Sequence, residues 1–501
     1  MTERVVIIGA GVAGMAAAIH ARESGFQVDL FERHSVPGGL CTSWRIDGFL
    51  FDGCVEFFMG SGASSPFHAL WREVGVLPRS FVDRQVYAET LFPDGGRVLL
   101  HADPDRLEKH FDEISPVDRD TTRHLVELVR LMRRARYRVD RAAELLSFVE
   151  RTRAFLDLLP TLRLWRDGFA TSIRAFGARF QSPALRAAIT HAIPADLPLL
   201  YLVQILADLA NGAAGSPIGG SLQIALSMAK RCRELGVRMH LGTEVDEIEV
   251  HDGVAIGVRL ADGRRIAADA VVAASDLRLT LDRLLLGRFP SPSHETLFSR
   301  PLVASVCLVS CGLRAPVGTG VDAVIHRRVV DPPIQIRDHR LEVLAWKSFL
   351  HDPSLAASPR TIVTVTIDSD WERWHALADD RPRYDAARAE LGAGVVSAMD
   401  AALPGFAAAV ETVDVATPVT IEHYTANHHG HYMTFMPTLG RPPSQVPRTV
   451  PGVSRLYLAG MWVEPPGGLP NALRSGRDVV QVLCRDRRVP FRGAVQSTAE
   501  V

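Results

Sequence analysis

The chain has 501 residues, 47% apolar and 23% charged, with 56 basic against 57 acidic side chains and a net charge of −1. That composition excludes a disordered, collagen-like or disulfide-scaffold protein and leaves no one-sided field to recruit nucleic acid. The length suits two to four domain-sized units, or one fold with a large insertion. Only Lys109, Lys230 and Lys347 are lysines, an arginine bias that reads as genomic composition before chemistry. Cys41, Cys54, Cys232, Cys307, Cys311 and Cys484 form no C-x-x-C pair. Their wide spacing argues against a zinc site or a disulfide framework, and makes a reduced, cytoplasmic protein the default. No apolar run reaches the ~18 residues of a membrane-spanning helix.

Residues 4–9, RVVIIG, read as a buried parallel strand. Gly9, Gly11 and Gly14 follow as G-A-G-V-A-G, and a helical stretch runs to the stop at Ser24-Gly25. QVDLFE then forms a second strand ending at Glu32. This is a βαβ dinucleotide fingerprint with a physical reason for each part. Gly9 permits the tight turn, Gly11 lets the backbone approach a pyrophosphate, and Gly14 lets helix pack on strand. The helix N-terminus presents free N–H groups and a positive dipole end to the phosphates. Glu32 accepts hydrogen bonds from ribose hydroxyls, and its charge disfavours the 2′-phosphate of NADP.

After Glu32, the Gly38-Gly39 pair and the Asp52-Gly53 turn resemble the second segment of the amine-oxidase and carotenoid-desaturase flavoproteins. In that superfamily the Gly-Gly loop lies along the FAD pyrophosphate, which makes Gly38 and Gly39 contacts by resemblance. Leu40 stands where an arginine usually follows, so Arg33 and Arg45 are the candidates to supply its phosphate contact.

Residues 101–210 are mostly helix-like: Asp105–Ile114, Thr121–Arg136, Arg141–Leu158 and Leu185–Asn211. Arginines lie on one side of the pattern and Leu/Phe on the other, as on an exposed helical face over a core or on a surface meeting a membrane. Pro217–Ser221 opens a helix over Leu222–Leu235, and strands with an Asp262-Gly263 hairpin turn lead to Ala270–Ala274. The resemblance makes Val245 the adenine contact. Residues 301–312, 341–349 and 361–368 are strand candidates and 371–402 reads as helical, a second sheet-plus-helix unit covering the flavin.

Glu422–Met433, EHYTANHHGHYM, carries His423, His428, His429 and His431. No cysteine joins them, and a metal centre is not expected. By resemblance Gly430 lies against the flavin. Tyr424, His429, His431 and Tyr432 are the candidates to face substrate as proton donor or acceptor, or else they line an amphipathic wall. At the C-terminus, Leu456–Ala459 is a strand, Gly460 breaks it, Pro465–Pro470 is a rigid loop and Asn471–Leu483 a helix. A helix aimed by its N-terminus at a flavin stabilises the reduced ring.

The loop P-P-G-G-L-P-N-A resembles the terminal flavin motif of phytoene desaturases, carotenoid isomerases and retinol saturases, with Gly460, Gly467, Gly468, Leu469, Pro470 and Asn471 as its cofactor contacts. Met461 replaces the acid often found in the amine-oxidase branch, which favours the carotenoid branch. The resemblance implies an α/β fold: a Rossmann-like FAD-binding domain of the two-dinucleotide-binding type with an inserted α+β substrate domain. The expected segments are 1–100, 217–290 and 418–501 for the FAD domain, 101–216 for a helical substrate or lid region, and 291–417 for the substrate sheet and helices. It implies non-covalent FAD, transient NAD(P)H or quinone, and an apolar polyene, isoprenoid or polyketide-derived substrate that is desaturated or saturated at flavin N5. Peripheral membrane contact is compatible with such a substrate. A saturase or reductive cyclase, an amine oxidase-like flavoenzyme and a non-enzymatic lipid escort of the same fold are the competing readings.

Overall fold

Strand Arg4–Ile8 is short, β-branched and almost wholly buried, and it sits at the centre of a parallel sheet. Its neighbours are Gln27–Phe31 on one side and Ala270–Ala273 on the other; Arg238–His240 and Val453–Leu458 extend the sheet at its two ends, all in parallel register. The structure, a computed structural model, describes residues 2–76, 81–135, 138–440 and 446–493. Among these, the first sheet has nine strands, the parallel five being extended by the antiparallel strands Val245–His251, Val254–Leu260 and Arg265–Ala267 and by Thr449–Val450. Helices Val12–Glu23, Gly220–Glu234 and Leu469–Arg487 cover one face through an alanine-rich core. Gly476 sets the spacing of two of them, since a Cβ there would stand 2.2 Å from the carbonyl of Ala13. Both of these helices begin on one groove, which Val12, Ala13, Leu469 and Ala472 line.

The second sheet runs Val410–Ala416, Val306–Leu313, Thr361–Asp368, His339–Ser348, Ala323–Ile336, Val86–Leu91, Arg97–His101. Leu344, Trp346, Val363 and Val365 face helix Arg381–Ala402, while on the other face Ile362 packs on Phe49 and Phe51 and Ala345 on the helical unit. Among the described residues, six of the seven helices between Pro104 and Ala210 close around a separate core of Leu, Val and Phe, and Phe148–Leu158 lies outside it.

Several expectations need correction: the helix expected over Arg141–Leu158 starts only at Phe148, after a single turn at Ala143–Leu145. The strands Val86–Leu91 and Arg97–His101, placed by the 1–100 boundary with the FAD domain, hydrogen-bond in the second sheet. The single helix expected over Leu185–Asn211 is two, Pro183–Thr190 and Leu199–Ala210, because Pro194 and Pro198 interrupt the ladder. The terminal helix begins at Leu469, not Asn471. Arg136, the expected end of another helix, lies outside the described residues.

Candidate functional site

An open groove lies at the carboxyl ends of the parallel strands, where open α/β sheets bind ligands. Its walls come from the first turn of the fold, the Gly38–Cys41 loop, Thr243–Val245, Ala274–Asp276, Thr425–Asn427 and the terminal loop. Three glycines show how the groove is kept open. Gly9, at φ +98°, makes the turn, and a Cβ on Gly14 would lie 1.9 Å from the carbonyl of Gly9, so the helix packs hard on the strand. Gly11 is different. Its φ of −70° suits any residue, and its Cβ would meet nothing nearer than the Gly38 carbonyl at 4.0 Å. Neither backbone nor crowding requires glycine there, so the missing side chain leaves room for a ligand.

The helices Val12–Glu23 and Leu469–Arg487 both have glycine N-caps, no side-chain cap and no acid in the first turn. Their opening N–H groups are free for an anion or a polar ring edge. Glu32 is fixed at the strand end: Oε2 accepts from the N–H of Ala10 at 2.8 Å and Oε1 from that of His34 at 2.9 Å. The remaining lone pairs face the groove. An FAD molecule fits this set: N–H groups beside Gly11 for the pyrophosphate, Glu32 for the ribose, and the Gly468–Leu469 helix start for the ring.

Of the expected cofactor contacts, Gly9, Gly11, Glu32, Arg33, Gly38, Gly39, Val245, Gly460, Gly468 and Leu469 line the groove. Gly14, Gly430, Gly467, Pro470 and Asn471 stand behind it. Gly430 is pressed on Pro418, whose carbonyl would lie 2.1 Å from a Cβ, and Asn471 Nδ2 donates to the carbonyl of Gly467 at 2.9 Å, pinning the loop. Arg45 is exposed on the hairpin Ser43–Asp52. Arg33 lies in the wall, donating to the backbone carbonyls of Glu422 and His423.

The four proton-transfer candidates diverge. Tyr424 is 52% exposed, its ring edge-on to His34. His429 stacks on Trp371 at 4.1 Å. His431 Nδ1 lies 2.6 Å from the carbonyl of Val303, and burial holds its pKa below the usual imidazole value. Only Tyr432 lines the groove, packing on Val306, Leu308 and Ala416 of the second sheet. Burial keeps its phenol neutral, far above the usual range. Among the described residues, no three His, Cys, Asp or Glu side chains converge as a metal site.

Sequence reasoning passed over Asp276. It is buried in the groove wall and accepts from the N–H groups of His428 and Leu279 at 3.0 and 2.9 Å, tying the His-rich segment to the sheet. Burial pushes its carboxyl up to about 6. An acid immediately after the central strand Ala270–Ala273 and Ala274-Ser275 was the available signal.

The parallel sheet, the glycine-walled groove and the paired helix N-termini define an FAD-binding oxidoreductase of Rossmann-like architecture. The chain belongs to the flavin-containing amine oxidoreductase family, whose model matches residues 12–484. It is similar to the neurosporene-forming phytoene desaturase of Rhodobacter capsulatus, 26% identical over 96% of this chain and 94% of that protein. It also matches the zeta-carotene-forming phytoene desaturase of Myxococcus xanthus at 30% identity, over 56% of this chain and 55% of that protein, and the chloroplastic prolycopene isomerase of Arabidopsis thaliana at 22%, over 96% and 82%. Among solved structures, putrescine oxidase bound to putrescine shares the fold at a TM-score of 0.61, with 16% identity over 97% of this chain and all of that one. The protein is an FAD-dependent oxidoreductase.

Proposed function

We propose that this enzyme adds hydrogen to, or removes it from, a polyene or isoprenoid chain. The observation that carries the reading is the near full-length similarity to phytoene desaturases, joined to a groove whose inner wall has Met461 in place of an acid and Tyr432 as a neutral phenol. FAD, when bound, supplies hydride exchange with a substrate carbon. The chain's own residues hold and shield. Gly11 and the first helix take the pyrophosphate, Glu32 the ribose, and the second sheet and the helical unit exclude water. A hydrocarbon reacting centre needs few polar groups, so the saturase and desaturase directions share one site design. Anaerobic incubation of the FAD-loaded chain with phytoene, followed by chromatography for products of longer conjugation, tests the reading. An unchanged polyene pool together with turnover of amines refutes it.

Such a substrate dissolves in membranes, and helix Phe148–Leu158 offers a surface for reaching them. Phe148, Val149 and Phe155 are 84%, 74% and 57% exposed, with Leu156 and Leu162 beside them. No helix among the described residues is long and apolar enough to cross a bilayer. The helix suits lying in the interface with its apolar face down. The wild-type chain should float with liposomes and Phe148→Ser/Phe155→Ser should not; equal flotation removes this surface from the account.

A further inference from the structure

Lys347 is the buried one of the three lysines. Its side chain is 7% exposed, against 79% for Lys109 and 77% for Lys230. It stands on strand His339–Ser348, on the opposite face from Leu344 and Trp346, which pack under the helices. Across the ladder it neighbours Thr364, and Thr364 neighbours Ser310; both are fully buried, their hydroxyls 3.1 Å apart. This row belongs to the face that Tyr432 packs on from the groove side. The nearest acid to the ammonium is Glu56, at 3.8 Å, beyond hydrogen-bond reach. Among the described residues, no hydrogen bond reaches Lys347 Nζ or the Glu56 carboxylate. Glu56 keeps 31% of its side chain open, so the pair borders a space that water enters. Glu56 follows two residues after Cys54, which lines the groove, and its backbone carbonyl accepts from the Ser216 hydroxyl at 3.1 Å.

A buried ammonium with three unspent donors is unfavourable unless something accepts from them. A pure hydrocarbon would expel the water and leave both charges worse off. A carboxylate would meet Glu56. A hydroxyl serves both partners, accepting from the ammonium and donating to the carboxylate. We infer that Lys347 and Glu56 form a polar subsite for a hydroxyl group carried on the otherwise apolar substrate chain. The inference rests on the proposed reading of an apolar-chain substrate and narrows it to an alcohol.

The test uses the FAD-loaded full chain, titrated with geranylgeraniol, with the hydrocarbon of the same skeleton and with geranylgeranoic acid, and read by the flavin spectrum and tryptophan fluorescence. The alcohol should bind at least about tenfold tighter than the hydrocarbon, as for one hydrogen bond to a charged group. Lys347→Met should erase that preference while hydrocarbon binding persists. Glu56→Gln should weaken it, and decides the matter if Lys347→Met fails to load flavin. Equal binding of alcohol and hydrocarbon, strongest binding of the acid, or a preference surviving both variants overturns the subsite and leaves the polyene reading standing. Binding of none of the three overturns the polyene reading itself, and the subsite with it.

Discussion

Gly11→Val separates ligand space from fold at the position where the two are best distinguished. The added isopropyl group enters a region where the nearest atom to a Cβ is 4.0 Å away, on a backbone at φ −70° and ψ 177°. The apoprotein should keep its stability to within ~1 kcal/mol, since a poorer N-cap is offset by a less flexible unfolded chain. The ligand is affected instead. Losing two charge-assisted hydrogen bonds at the helix start, each worth roughly 1.5–3 kcal/mol, lowers FAD affinity by about a hundredfold to ten-thousandfold. Apoprotein is reconstituted with FAD and followed by quenching of flavin fluorescence, then unfolded thermally with and without FAD. At a thousandfold excess over Kd the wild type should gain about 4 kcal/mol from the ligand, and the variant far less. Gly14→Ala is the contrast, because its Cβ would sit 1.9 Å from the Gly9 carbonyl and the apoprotein itself should fail. Wild-type FAD affinity in Gly11→Val, or an apoprotein as unstable as that of Gly14→Ala, would refute the reasoning.

Glu32→Ala should weaken flavin retention on dilution about tenfold or more by removing charge-assisted ribose contacts; unchanged retention moves the ribose elsewhere. Gly468→Val places a side chain at φ +94° at the groove edge. The midpoint potential of the bound flavin should fall by up to about 40 mV through loss of the helix-end stabilisation. Asn471→Leu, which frees only the Gly467 carbonyl, should lower it by less, and identical potentials in dye equilibration would detach this helix from the ring. Asp276, raised to about 6 by burial, holds a proton in the folded chain that the unfolded chain releases near 3.8. Its contribution is full below that lower value and lost as pH rises through about 6. The unfolding free energy of wild type minus that of Asp276→Asn should therefore drop by ~3 kcal/mol across that window, and a flat difference in denaturant titrations would contradict the buried-acid assignment.

The first 32 residues were legible because every requirement there is local: a β-branched strand, three glycines at set spacing and an acid at the next strand end. The terminal helix was legible for the same reason, although Asn471 turned out to brace the loop from behind. Strand Ala323–Ile336 was missed because Arg327, Arg328, Asp331, Pro332 and Pro333 break its alternation, while its long pairing with His339–Ser348 is a tertiary fact. The destination of Val86–Leu91 was equally hidden, since a strand's pattern does not say which of two sheets it joins. The segment 422–433 was recognised as chemically rich, but left-handed Ala426 (φ 57°) and His429 (φ 52°) turn its side chains apart. Of its four candidates only Tyr432 reaches the groove. Lys347 carried no motif; burial alone singles it out.

The account's central claim is tested most directly by the visible spectrum of the purified chain under anaerobic conditions. It should carry non-covalent FAD, and the oxidised flavin band should bleach on addition of phytoene, or the photoreduced flavin should reoxidise on addition of a conjugated polyene. A chain that binds no FAD, or one whose flavin ignores every polyene and bleaches with an amine, would contradict it.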